Sequence, residues 1–290
     1  MSASVCWLNG ELLPAIEARI SREDRGLLYG DGVFETMRAY GGILFRLHQH
    51  LARLCEGARV LRFPFELDFD GIAGACSRVL RANELQDAYV RVTVTRGAGG
   101  LPSELAASMR PTVLVSAQEF HGYPADLTER GMSVRVSATR RNTSSPLARI
   151  KSLDYLDNLL ARAEAAEAGA DEALLLDASG SVVEGSASNV FAVLDGTTTT
   201  PPISAGVLPG ITRACVLELC QQLDLPVAES LLDLNTLRSA DEAFLTNSLM
   251  EVMPLVAVNG QGVGTGVPGG ITTRLQTAYR RLVSREAACE

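Results

Sequence analysis

The sequence predicts two α/β or α+β domains with largely antiparallel sheets. Strand-like runs of alternating apolar and polar residues recur along the chain, interspersed with stretches whose apolar residues repeat at helical spacing. The length of 290 residues suffices for one large domain or two of ordinary size, each with its own core. A polar stretch from Glu119 to Glu129, with Gly122 and Pro124, divides the pattern and reads as a linker. The expected domains are therefore residues 1–118 and 131–290, joined by 119–130.

Each element has a local reason. Val5 to Leu13 reads as a hairpin, because Asn9-Gly10 is a strong two-residue turn signal. A glycine-punctuated segment follows from Asp24 to Tyr40, then a short strand from Ile43 to Arg46. From His48 to Arg62 the residues Leu51, Leu54, Ala58 and Leu61 recur at helical spacing, and Pro64 stops the run. A second helix covers Phe69 to Ala82. Alternation gives strands at Tyr89–Thr95 and Thr112–Ser116, separated by the loop from Gly97 to Pro102.

Beyond the linker, Met132–Ser137 is a strand and Arg140–Pro146 a loop. An alanine-rich helix from Leu153 to Ala168 is closed by Gly169. Strands resume at Glu172–Asp177, Ser181–Glu184 and Asn189–Leu194. One more helix opens between Pro209 and Thr212, and a hairpin from Ala243 to Val258 ends at Asn259-Gly260.

Composition narrows the function. A formal net charge of -8 argues against a general nucleic-acid surface, while local arginines can still bind small anions. The N-terminal segment has no charged-then-apolar leader pattern and no stretch approaches the length of a membrane span, so a cytoplasmic protein is expected. The six cysteines form no C-x-x-C pair, and His48, His50 and His121 are scattered, so no metal site is expected. His50 reads as a residue that orients a neighbour or caps a helix.

Of the 26 basic side chains, only Lys151 is a lysine. An ε-amine can lose its proton and attack a carbonyl to form a Schiff base, which a guanidinium cannot do. Lys151 lies just ahead of a predicted helix, where an amine can face solvent as readily as a ligand. Glu184 is the second unusual residue, a carboxylate in the apolar run Val182–Phe191. It either points to water from an edge strand or pairs with a cation such as a protonated pyridine nitrogen. The third is Gly206-Val-Leu-Pro-Gly-Ile-Thr-Arg213, whose backbone N–H groups at Ile211 and Thr212 open a helix and suit a phosphate. Arg53 can add a fixed positive charge.

These segments carry a resemblance. Tyr29-Gly-Asp-Gly-Val-Phe-Glu-Thr36, His50-Leu-Ala-Arg-Leu54, Ile150-Lys-Ser-Leu153, Glu184-Gly-Ser-Ala-Ser-Asn-Val-Phe191, Leu208-Pro-Gly-Ile-Thr-Arg213 and Thr246–Pro254 resemble, in order, those of the class IV (fold type IV) pyridoxal 5'-phosphate enzymes. The resemblance implies that Lys151 holds the cofactor as a Schiff base and that Glu184 binds its ring nitrogen. It assigns the phosphate to Arg53, Ile211, Thr212 and Ser248, and the substrate side to Tyr29, Thr36, Arg91, Arg96 and Leu249. It further implies an N-terminal α/β domain, a C-terminal pseudo-barrel domain, a cofactor cleft between them, a homodimer, and a small amine substrate that carries a carboxylate.

Within the family, Phe34 replaces the carboxylate-binding tyrosine of D-amino-acid aminotransferases and Ala98 their histidine, which argues against that branch. Tyr29, Tyr89 and Arg91 resemble the branched-chain aminotransferases, but Phe34-Glu-Thr36 departs from their Phe-Glu-Gly. Thr36, Arg96-Gly-Ala-Gly-Gly100 and Thr246–Pro254 resemble aminodeoxychorismate lyase more. The leading expectation is thus the lyase of folate biosynthesis, which converts 4-amino-4-deoxychorismate to 4-aminobenzoate and pyruvate. A branched-chain aminotransferase using 2-oxoglutarate is the alternative. A lyase or aldolase working through a lysine Schiff base without the cofactor stands as a reading from another class.

Overall fold

A computed structural model describes residues 4–99, 101 and 110–288. Gly100 and Pro102 of the expected loop, and Cys289, lie outside the described residues. The chain divides into two units, one of Met1–His121, Ile150–Asp154 and Glu286–Glu290, the other of Gly122–Arg149 and Tyr155–Arg285. The segment that carries Lys151 therefore groups with the N-terminal unit, although sequence order puts it inside the expected 131–290 domain.

The first unit is built on a six-stranded, wholly antiparallel sheet of β1 (Val5–Leu8), β2 (Glu11–Pro14), β3 (Gly32–Tyr40), β4 (Ile43–Leu44), β5 (Ala88–Thr95) and β6 (Thr112–Glu119). Their order is β2-β1-β6-β5-β3-β4. Asn9 and Gly10 make the predicted turn, with φ of 50° and 111°. Three helices join the sheet: α1 (Arg25–Tyr29), α2 (Leu47–Val60) and α3 (Phe69–Ala82). The period-2 rows Val33, Met37 and Ala39 of β3 and Val90, Val92 and Val94 of β5 pack with Leu51, Leu54 and Ala58 of α2 and Ile72, Val79 and Leu80 of α3. Each fully buried Val, Leu, Ile or Met side chain among them contributes about 1.5–3 kcal/mol relative to exposure. Asp68 caps α3 by accepting from the Gly71 amide at 2.9 Å.

The second unit opens with α4 (Ala125–Arg130), a helix inside the stretch expected to be a linker. Pro124, one of the two residues that suggested a linker, precedes its first turn, and Gly131, at φ 78°, ends it. A ten-stranded sheet follows, formed by β7 (Met132–Arg141), β8 (Glu172–Asp177), β9 (Ser181–Gly185), β10 (Asn189–Leu194), β11 (Thr197–Thr200), β12 (Val227–Glu229), β13 (Leu232–Asp233), β14 (Glu242–Asn247), β15 (Glu251–Val258) and β16 (Gln261–Gly262). Most pairs are antiparallel, but β7 pairs parallel with both β8 and β15, and β11 with β12. The helices are α5 (Leu156–Glu167), α6 (Ile211–Gln222), α7 (Leu234–Arg238) and α8 (Gly270–Ala287). Strands β8 and β10 are buried over nearly their whole length, which explains their apolar runs Ala173–Leu176 and Val190–Leu194. Glu242 of β14 caps α8, accepting from the amides of Ile271 and Thr272 at 2.9 and 2.8 Å. Among the described residues no helix is long and apolar enough to cross a membrane.

Candidate active site

In the first unit the site grows from the start of β3. The chain returns after residue 149 and lays Ile150–Asp154 along that strand. The Phe34 amide donates to the Lys151 carbonyl at 2.9 Å, the Leu153 amide donates to the Gly32 carbonyl at 2.9 Å, and Val33 bridges Ser152. Gly32 makes this approach feasible, because a Cβ there would lie 2.5 Å from Leu153 Cδ1 and 2.7 Å from the Val94 carbonyl oxygen. Lys151 is thus fixed by backbone pairing while its side chain stays half-buried.

Its Nζ lies 4.6 Å from the centre of the Phe34 ring, and the Arg91 guanidinium lies 4.0 Å from the same centre. Arg91 and Thr36 are direct cross-strand partners on β5 and β3, and Arg91 Nε donates to Thr93 Oγ1 at 3.2 Å. Lys151, Thr36 and Arg91 are therefore brought together around Phe34. Arg53 projects from α2 and is held by Glu35, whose two oxygens accept from Nε at 2.7 Å and Nη2 at 2.8 Å. His50 meets Glu35 through Nδ1 at 2.7 Å. Burial would raise the Glu35 carboxyl, but Arg53 and His50 outweigh it and hold it at about 2. Burial also drives the His50 imidazole below its ordinary range; Glu35 opposes this, while Arg53 and Lys151 add to it. Facing an ionised Glu35, His50 donates to it from Nδ1, the neighbour-orienting role expected of it.

Two of the expected substrate residues have other surroundings. The Arg96 side chain is 3% exposed and its guanidinium is committed: Nε and Nη2 donate to Asp31 at 2.7 and 3.1 Å, and two further bonds go to the carbonyls of Leu61 and Arg62. Arg25 donates to the same Asp31 at 2.9 Å. Arg96 thus ties Asp31 to the carbonyls of Leu61 and Arg62, a network that its place in the sequence did not announce. Tyr29 is half exposed on α1, with the Arg25 guanidinium 5.1 Å from its ring centre. Asp24 fixes α1, accepting from the Gly26 amide and from the hydroxyls of Thr95 and Thr112.

In the second unit a separate group forms at one end of the sheet. Glu184 on β9 has a side chain only 6% exposed, so it is not an edge-strand carboxylate facing water. Arg141 lies 3.2 Å from its Oε1, and the Leu208 amide donates to its Oε2 at 3.0 Å. Asn189 donates to the Leu208 carbonyl at 3.0 Å, and its Oδ1 would sit 1.9 Å from a Cβ on Gly210. Gly210 is the N-cap of α6 and no side chain caps the helix, so the backbone at Ile211 and Thr212 suits an anion. Ser248 and Leu249 occupy the turn between β14 and β15, which Asn247 fixes by accepting from the amides of Leu249 and Met250 at 2.9 and 2.7 Å. The Asn247 side-chain Nδ2 donates to the Ala187 carbonyl at 2.9 Å, tying that turn to the one after Glu184. Tyr155 and Asn158 both donate to the Ser186 carbonyl, at 2.8 and 2.7 Å. Arg141, Asn189, Tyr155 and Asn158 were not foreseen, because their partners are distant in sequence.

Each unit, taken by itself, holds donors of the kind pyridoxal phosphate takes. They comprise a half-buried amine, a clamped guanidinium, a buried carboxylate held at both oxygens, and an uncapped helix N-terminus behind a glycine that a Cβ would obstruct.

Comparison with known proteins agrees on the family. The model of amino-transferase class IV matches residues 32–258. A branched-chain-amino-acid aminotransferase of Escherichia coli K12 is 34% identical over 98% of this chain and 94% of its own. A D-alanine aminotransferase of Bacillus licheniformis is 34% identical over 97% of both. The solved T.th. branched-chain amino acid aminotransferase with pyridoxamine 5'-phosphate superposes with a TM-score of 0.91 at 32% identity, over 96% of this chain and 93% of that one. These findings overturn the expectation of aminodeoxychorismate lyase in folate biosynthesis: the relatives and the solved structure just described are named aminotransferases. Thr36, Arg96–Gly100 and Thr246–Pro254 therefore do not separate the lyase from the aminotransferases in this chain. The chain therefore belongs to the class IV aminotransferases, fold type IV enzymes that use pyridoxal phosphate and whose members act on small-molecule amino-acid substrates.

Proposed function

We propose that the chain is a branched-chain amino-acid aminotransferase that passes the amino group of leucine, isoleucine or valine to 2-oxoglutarate. The observation that carries this reading is the end-to-end likeness to branched-chain enzymes in sequence and structure, while Phe34 and Ala98 argue against the D-amino-acid branch that reaches a like identity. Solved complexes of the T.th. enzyme with 4-methylvaleric acid and with N-(5'-phosphopyridoxyl)-L-glutamate support a donor with a branched aliphatic chain and an acceptor related to glutamate. Phe34, 4% exposed, supports an apolar rather than hydroxylic surface beside Lys151.

In this reading Lys151 would hold the cofactor through Nζ, and as a free amine Nζ would take the proton from the substrate Cα. Bound pyridoxal phosphate supplies the electron-withdrawing ring that accepts the charge left at Cα. Glu184, oriented by Arg141 and the Leu208 amide, holds the proton on the ring nitrogen. Arg53, Ile211, Thr212 and Ser248 bind the phosphate. Arg91 is the cation best sited for a substrate carboxylate, with Tyr29, Thr36 and Leu249 shaping the substrate side.

The chain is further proposed to work as a cytoplasmic homodimer. Leu27 and Leu28 on α1, and Leu156, Leu159 and Leu160 on α5, are each more than half exposed, which supports association between copies. The test of the activity is a donor panel with 2-oxoglutarate, in which glutamate is measured. Leucine, isoleucine and valine should give the fastest release. A faster reaction with D-alanine would move the chain to the D-amino-acid branch, and no glutamate from any donor would contradict transamination.

A further inference from the structure

We propose that Glu35 and His50 are positioning residues that set the plane of the Arg53 guanidinium for the cofactor phosphate. The inference rests on the reading of Arg53 as a phosphate ligand and adds a mechanism to it. Glu35 belongs to the β3 row of Val33, Met37 and Ala39, which packs with α2, so a carboxylate replaces an apolar side chain in the middle of a core row. It is 0% exposed, and His50 is 1% exposed.

A buried ion pair is a poor means of gaining stability, since apolar residues of similar volume commonly do as well or better. Its geometric content is larger. Glu35 takes Nε through Oε1 at 2.7 Å and Nη2 through Oε2 at 2.8 Å, a two-bond fork that fixes both the plane and the rotation of the guanidinium. Oε2 also accepts from His50 Nδ1 at 2.7 Å. His50 and Arg53 stand three residues apart on α2, so they lie on one helix face and grip the same carboxylate. The fork uses one edge of the guanidinium and turns the Nη1 edge away from Glu35. A guanidinium locked in this way loses little freedom when it binds an anion, which is the advantage of Arg at such sites.

Charge and position predict opposite outcomes when Glu35 is neutralised. Removing a negative charge near a phosphate should, by Coulomb's law alone, strengthen phosphate binding. Releasing the fork should weaken it. The experiment titrates the full-length chain, freed of cofactor, with pyridoxal phosphate and with pyridoxal, which lacks the phosphate. The ratio of the two dissociation constants is the phosphate preference.

Glu35→Gln should lower that preference about tenfold or more, the scale on which lost outer-sphere partners act at metal sites, while pyridoxal affinity changes little. His50→Phe should lower it in the same direction, and His50→Asn, whose amide can donate from the Nδ1 position, should restore it. If Glu35→Gln does not fold, the His50 pair decides the matter. A preference that rises or stays unchanged in Glu35→Gln, or in His50→Phe, overturns the inference. Arg53→Ala separates the two levels: if it keeps the full preference, the reading of Arg53 itself fails. If it loses the preference while the Glu35 and His50 variants keep theirs, only the positioning role fails.

Discussion

Gly32→Ala probes how the lysine segment is seated. In the native backbone an added Cβ would meet Leu153 Cδ1 at 2.5 Å and the Val94 carbonyl oxygen at 2.7 Å. Leu153 can rotate away, but Val94 lies in β5, paired with β3 along eight residues, and its carbonyl cannot move without disturbing the sheet. Overpacking of this kind costs about 1–3 kcal/mol, and the lower backbone entropy of Ala offsets roughly 0.5–1 kcal/mol of it. The net loss of about 1–2 kcal/mol corresponds to a Tm lower by roughly 2–8 °C in a chain of this size. Relief requires the 150–154 segment to lift from β3, so cofactor affinity should fall as well. Gly74, exposed within α3 with nothing within 4 Å of an added Cβ, is the matched control. Gly74→Ala should raise stability by about 1 kcal/mol. Thermal melts with and without pyridoxal phosphate read both effects. A Gly32→Ala protein with native Tm and native cofactor affinity would refute the close seating of Lys151 on β3.

Arg96→Met should cost about 3 kcal/mol in urea unfolding, near the low end for breaking a buried pair, because Asp31 keeps Arg25; a loss below about 1 kcal/mol with a raised KM would return Arg96 to the substrate. Glu35 ionises at about 2 in the folded chain, below its ordinary value of 4.5, so the unfolded state binds the extra proton first. Its stabilisation is full above about pH 4.5 and fades as pH falls toward 2, by about 3 kcal/mol from linkage, and Glu35→Gln should flatten that part of the stability curve. Asp31, held low by Arg96 and Arg25 against burial, adds a slope of the same sign that survives in the variant. Glu184→Gln should retain the cofactor yet slow Cα proton removal by about 10²-fold, the scale of a lost electrostatic contact. Exchange of the leucine Cα hydrogen in heavy water reads that step, and an unchanged rate would make Glu184 a strand residue only.

The local elements were readable where the chain's own chemistry fixes them. Asn9-Gly10 is a turn because both positions accept positive φ, and Phe69–Ala82 is a helix because Ile72, Ala75, Cys76, Val79 and Leu80 make one buried face. α8 escaped notice although Leu275, Tyr279, Leu282 and Val283 mark a buried stripe at helical spacing; its cap, Glu242, comes from a distant strand. α4 was hidden because Pro and Gly delimit a short helix as readily as a loop. The parallel pairings of β7 leave no period in the sequence, since a parallel neighbour can come from anywhere along the chain.

At the site, residue type alone exposed Lys151 and the α6 N-terminus. The commitment of Arg96 to Asp31 was not readable, because nothing local distinguishes an arginine that binds a substrate from one that ties a loop. Glu35 could have been found: a carboxylate between Val33 and Met37 breaks the apolar alternation of β3, and such a break in a core row asks for a buried partner.

The most direct test of the central claim uses the solitary lysine. Borohydride reduction of the cofactor-loaded protein, followed by intact-mass and peptide mass spectrometry, should give one pyridoxyl phosphate per chain on the peptide containing Lys151, and none in Lys151→Arg. A protein that takes up no label, or a Lys151→Arg chain that is labelled equally, would contradict the account.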